Sequence, residues 1–209
     1  MAKSDGAPPR APTRVRVRLG VEDRRAQLIA VGLSQFATRS YEDISMDDLA
    51  RAAEISKGLL YHYFPSKHDY YVAVLDHAAV RLVTETTPVA LDLPPLERLR
   101  NGLVTYFDFV DRHGPAFTAL MRGGIGSDPE VSAILERTRA AFVDRILQDL
   151  PPELDTLPLR TALRGWIGFV EAVATEWILK RAVSKDELIV MISQVLLAAV
   201  QGTTGHALR

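Results

Sequence analysis

The chain has 209 residues, with 25 Lys and Arg against 26 Asp and Glu, a formal net charge of −1, 47% hydrophobic residues and no cysteine. This length and apolar share suit one large domain or two small ones with a packed core, and they exclude disorder for most of the chain. The missing cysteines exclude disulfides, thiolate metal sites and cysteine nucleophiles, and the near-neutral charge leaves any nucleic-acid affinity to local patches.

The N-terminus lacks a signal-peptide hydrophobic core, and no apolar run is expected to reach the roughly 18 residues that span a bilayer. The expectation is a cytoplasmic protein with no membrane partner. Residues 1–20 hold Lys3, Arg10, Arg14, Arg16 and Arg18 against the single acid Asp5, and Pro8, Pro9 and Pro12 oppose a helix there. They form either a solubilising tail or a basic arm that follows the phosphate backbone or enters the minor groove.

From Val21 to about Arg39, Ile29, Leu33, Phe36 and Ala37 fall on one face of a helix. A loop over Tyr41 to Ile44 leads to Ser45, an N-cap candidate, followed by Asp47 and Asp48 where acids complement the helix dipole. Met46, Leu49, Ala50 and Ala53 recur at helical spacing, Ile55 and Ser56 interrupt them, and Leu59, Leu60, Tyr61, Tyr63 and Phe64 resume. Pro65 closes this second short helix and Ser66 opens the next. A helix of two turns is not stable alone, so its neighbours must present it. Two such helices at a tight turn form a helix-turn-helix, whose second member enters the DNA major groove. Its outward face carries Lys57, Gly58, Leu59, Tyr61 and Tyr63.

The run ISKGLLYHYFPSK, with Leu49 and Ala50 ahead of it, resembles the DNA-binding signature of the TetR family of bacterial transcriptional regulators, over about 50 residues from near Glu22 to near Leu75. One departure is Glu54, where the family usually has glycine at the inter-helix turn; a left-handed residue there costs about 1 kcal/mol. The resemblance implies that Tyr61 and Lys67 contact phosphate and that Ser45 and Ser56 hydrogen-bond backbone at the helix starts. It places Lys57, Gly58, Leu59 and Tyr63 toward the bases. Of these, Lys57 suits guanine, Leu59 offers only apolar contact and Gly58 offers closeness.

A fourth helix, Lys67 to about Thr84, links this head to the body. From Pro88 onward no alternating strand pattern occurs and long helical patterns follow: Pro94 to His113, a shorter one over Ala116 to Met121, Pro129 to Leu150 capped by Asp128, Leu159 to Ala182, and Lys185 to Val200 capped by Ser184 with Glu187 as a capping box. Gly114 with Pro115, the glycines of RGGIGSD, and Pro151, Pro152 and Pro158 separate them.

The glycine loop lies between helices, so it lacks the strand a phosphate cradle needs. The five histidines show no spacing that puts two ligands on one helical face, and no motif sets a base beside a nucleophile. Neither metal nor cofactor is expected. The last helix is apolar nearly all round, with Leu188, Ile189, Met191, Ile192, Val195, Leu196, Ala199 and Val200; one face suits its own chain and the other a partner, unless both are buried in the monomer. Aromatics in the middle helices are either ordinary core or the lining of a ligand pocket, together with a few polar groups such as Asp108, Arg164, Glu171 and Glu176. The resemblance favours a pocket but carries no residue of it over; the residues themselves offer Phe107, Phe117, Met121, Trp166, Phe169 and Glu171 as candidates.

The expected architecture is all-α: a three-helix head over 21–66 and a helical-bundle body over 67–209 forming a two-fold dimer. The expected function is a DNA-binding transcriptional regulator, a repressor released from operator DNA by a small, largely apolar inducer. An activator, a ligand-independent regulator with the same head, and a helical enzyme or carrier using the body pocket are the alternatives.

Overall fold

The computed structural model describes residues 20–87, 92–122 and 124–205. The arm over residues 1–19 and Gly123 lie outside the described residues. Within them the chain forms helices α1 (Val21–Phe36), α2 (Met46–Ala52), α3 (Lys57–Tyr63), α4 (Lys67–Glu85), α5 (Pro95–Arg112), α6 (Gly114–Arg122), α7 (Pro129–Gln148), α8 (Leu157–Lys180) and α9 (Lys185–Thr204). Short 3-10 turns over Gly124–Ser127 and Pro152–Leu154 flank α7, and no strand occurs among the described residues.

Two cores organise these helices. In the first, Leu28 and Phe36 of α1, Leu49 of α2, Leu60 of α3 and Tyr70 and Val74 of α4 pack together with Ile44 and Phe64. α1 and α4 approach so closely that a Cβ on Gly32 would stand 2.4 Å from Val74 Cγ2. Only glycine fits there. This core extends to Leu120 of α6 and Val131 of α7, so the head rests on the body through packing as well as through the chain. The second core lies among α5, α7, α8 and α9, and Trp166 Nε1 of α8 donates to the Ile192 carbonyl of α9 at 3.0 Å.

Several expectations change. α1 stops at Phe36 rather than Arg39, with Ala37 as its C-cap. Pro158 is not in a loop: it lies in the first turn of α8, behind the Thr156 cap, where its missing N–H has no helical partner to lose. Pro115 does the same for α6, which therefore starts at Gly114. α9 runs four residues past Val200 and is long and apolar enough to cross a membrane by length and composition, contrary to the expectation that no segment is. Its charges, Lys185, Asp186 and Glu187, sit together in the first turn, which leaves the remainder uncharged. Ile192 faces its own chain and is fully buried, while Val190, Met191 and Val195 carry the outward apolar face.

Candidate nucleic-acid interface and body cavity

The turn between α2 and α3 is built from backbone bonds. Ile55 N–H donates to the Ala50 carbonyl at 3.0 Å and Glu54 N–H to the Arg51 carbonyl at 3.1 Å, the paired bonds of a Schellman helix end. Glu54, at φ +54°, takes the left-handed position that glycine usually fills. Ser45 Oγ accepts from Asp48 N–H at 3.1 Å while the Asp48 carboxylate accepts from Ser45 N–H at 3.1 Å, so α2 begins in a reciprocal capping box. The Ser45 hydroxyl, donating to Asp48 Oδ2 at 2.7 Å, and then the Ser45 N–H hold the Asp48 carboxyl below the usual carboxylate range. Ser56 Oγ accepts from Leu59 N–H at 3.2 Å and opens α3.

α3 turns Leu60 wholly inward and leaves Leu59 and Tyr61 exposed, at 38% and 42%. Around Gly58 a Cβ would meet nothing within 4 Å, so the backbone there is open to close approach. Tyr63 is half-buried against the head core. Ser45, Lys57, Tyr61 and Lys67 line one shallow cleft where α2, α3 and α4 begin. Two features of this cleft were not legible in the sequence. Lys57 Nζ is held by Asp47 Oδ2 at 2.7 Å, which pushes the ammonium pKa up, and Lys67 Nζ sits 4.3 Å from the centre of the Tyr41 ring.

The body contains a cavity of about 210 Å³ among α5, α7, α8 and α9. Its apolar wall includes Leu99, Leu103, Phe142, Ile146, Trp166 and Leu196, and its polar groups are Thr86, Arg98, Tyr106, Arg145, Asp149 and Glu171. Arg98 grips Asp149 through Nη2 at 2.6 Å and Nε at 3.3 Å. Glu171 receives Arg139 Nε at 2.9 Å and Nη2 at 2.8 Å, with both side chains largely buried. Arg145 reaches across to the end of α4, donating to Thr86 Oγ1 at 2.9 Å and to the Val83 carbonyl at 2.6 Å.

Residues 28–74 match the family described as "Bacterial regulatory proteins, tetR family", and residues 95–199, half of the chain, match "Tetracyclin repressor-like, C-terminal domain". The chain belongs to the TetR family. Like other TetR-family proteins it is a DNA-binding transcriptional regulator. A crystallised tetR-family transcriptional regulator from Streptomyces coelicolor is similar at 37% identity and a TM-score of 0.77, over 88% of this chain and 84% of that one. The transcriptional repressor KstR of Mycobacterium tuberculosis is 27% identical over 193 residues, 86% of each protein. The transcriptional activator FasR of Mycolicibacterium smegmatis is 28% identical over 130 residues, 62% of this chain, and the matched part spans 59% of FasR.

Of the six pocket candidates, Trp166 and Glu171 line the cavity of this TetR-family body and four do not. Phe107 is fully buried with its ring 5.5 Å from that of Trp177, and Phe117 stands edge-on to Tyr106. Met121 packs on the head core and Phe169 on the body core. Helical geometry is the reason: Leu99, Gly102, Leu103 and Tyr106 share one stripe of α5, and Phe107 is turned about 100° away from Tyr106. That stripe could have been found from its spacing. Arg145 could not, because an arginine on an amphipathic helix carries no sign that its tip will be covered. The other polar groups expected near a pocket are on the outside: Asp108 pairs with Lys185, Arg164 with Glu136 and Glu176 with Lys180. Among the described residues no group of acids and histidines could hold a metal.

Proposed function

We propose that this regulator is a homodimeric repressor whose two heads bind operator DNA and which leaves it when a small, largely apolar molecule enters the body cavity. The observation that carries the reading is α4. Its first turns place Lys67 in the head cleft and Tyr70 in the head core, while its C-cap Thr86 lines the cavity. A molecule that moves the cavity wall therefore moves the helix that positions the head.

In this reading Tyr61 and Lys67 meet phosphate, Ser45 and Ser56 fix the helix starts, and Lys57, Gly58 and Leu59 approach the bases. Tyr63, being half-buried, contributes its edge only. The exposed apolar residues Val190, Met191 and Val195 of α9, with Leu179 of α8, form the dimer face, as their exposure in a single chain would otherwise leave a greasy surface in water. Two heads then read half-sites separated by whole helical turns of about 34 Å. A ligand shifts DNA affinity only by its differential affinity for the two states, typically 5 to 150-fold.

The experiment is a mobility shift of DNA from the region upstream of the protein's own gene, with a transcription assay from the same promoter. Binding with lowered transcription is the expected result, and absence of any shift overturns the reading. Raised transcription establishes the activator alternative, to which the likeness to FasR points.

A further inference from the structure

Two polar groups in the cavity wall are not balanced by the protein around them. Tyr106 is over nine-tenths buried, lines the cavity, and its hydroxyl has no hydrogen-bond partner among the described residues. A buried hydroxyl left unpaired is costly, and a partner of complementary chemistry recovers that cost. Arg145 is the second. Every hydrogen bond described for its guanidinium goes to a neutral oxygen, Thr86 Oγ1 or the Val83 carbonyl. The two carboxylates in the wall are engaged elsewhere: Asp149 by Arg98, which takes both its oxygens, and Glu171 by Arg139. Asp149 lends Arg145 charge from a distance, yet burial still lowers the guanidinium pKa, and an arginine keeps its proton regardless. The rings of Tyr106 and Arg145's plane flank the same side chain, Phe142, at 6.4 Å and 5.5 Å. The rest of the wall is hydrocarbon.

We infer that the ligand is an apolar carboxylate, whose anionic end draws Arg145 and whose oxygens accept from the Tyr106 hydroxyl, with its chain lying against Leu99, Leu103 and Ile146. This rests on the ligand-responsive reading given above. Guanidinium pairs with carboxylate more strongly than with a neutral carbonyl, because the charge-assisted bonds are shorter and can be bidentate. Arg145 therefore turns from Val83 and Thr86 to the ligand, and the last turn of α4 loses the two bonds that tie it to α7. The same residue that recognises the anion thus transmits its arrival.

The test uses the full chain and two probes of matched length, octanoate, ionised at neutral pH, and octan-1-ol. Binding is followed by the fluorescence of Trp166 in the wall and by calorimetry, and the mobility shift is repeated with each probe. Octanoate is expected to bind at least about tenfold more tightly than octan-1-ol, the ratio that a charge-assisted bond supplies, and to weaken the DNA complex. Arg145→Met should abolish that preference. Tyr106→Phe should reduce octanoate affinity without lowering thermal stability, since the hydroxyl has no protein bond to lose. Equal or tighter binding of octan-1-ol overturns the inference while leaving a ligand-responsive regulator standing. Binding of neither probe, or octanoate affinity unchanged in both variants, also overturns it. A failure of the protein to shift DNA in the absence of any probe is the separate failure of the underlying reading.

Discussion

Lys57 Nζ lies 2.7 Å from Asp47 Oδ2, so the lysine that opens α3 is held across the helix-turn-helix by an acid from the first turn of α2. Both side chains are about half exposed, and a pair this wet exchanges readily with other partners. To reach a guanine or a phosphate, Lys57 must leave Asp47. Asp47→Asn removes the competitor, and is expected to raise DNA affinity by a factor of a few at low salt and by less at high salt. Affinity measured by fluorescence anisotropy across a salt series checks this; a loss of affinity at every salt concentration contradicts it.

Lys67 stands at the head of α4, on the Tyr41 ring and beside the cleft that holds Tyr61. In the proposed role of phosphate contact it would set affinity without sequence preference. Lys67→Ala is expected to weaken all DNA sequences alike and to lower the slope of log affinity against log salt by about one. An altered base preference with an unchanged slope refutes the assignment.

Glu54 adopts φ +54° at the end of α2, where a Cβ is strained. Glu54→Gly keeps the two Schellman bonds and removes the strain, partly offset by the greater freedom of glycine in the unfolded chain. The expected net gain is up to about 1 kcal/mol in urea denaturation. A destabilised variant would mean that the Glu54 side chain does something for the turn that its backbone does not reveal.

On the outer face of α9, Met191 and Val195 are 39% and 38% exposed in the single chain. Met191→Glu with Val195→Glu should yield monomers or insoluble protein, because the charges would be buried unpaired in a dimer interface. Sedimentation of the unsubstituted protein is the control. A wild-type monomer at micromolar concentration would falsify the assignment of this face.

Three helix caps predict acid sensitivity. The Ser45 hydroxyl holds the Asp48 carboxyl low, Val131 N–H does the same for Asp128, and the Ser184 hydroxyl for Glu187. Each carboxyl thus has a folded pKa below its unfolded value, near 4. Its contribution is present above that value and is lost as pH falls through the folded pKa. The thermal midpoint should fall on acidification below about pH 4, and less so in Asp48→Asn, where one of these groups no longer titrates.

The helices and the head's outward face were legible because their determinants are local. Ser45, Ser56, Ser66, Asp128 and Ser184 cap in place, since a cap needs only the next three residues, and helical spacing placed Leu59 and Tyr61 on the outward face of α3, where both are exposed. Even the left-handed turn at Glu54 was anticipated from the position it occupies. What required tertiary structure was every fact that depends on a second helix. Ile192 and Val195 are equally apolar, but only the packing of α8 on α9 buries the first and exposes the second. Helical spacing separates the stripe of Tyr106 from that of Phe107, but only the place of α7 and α8 around α5 makes the first the cavity wall and sets the second against Trp177. Arg145 lies 62 residues from the carbonyl it holds, a separation across which no local propensity acts, so the link between cavity and head came from the fold alone.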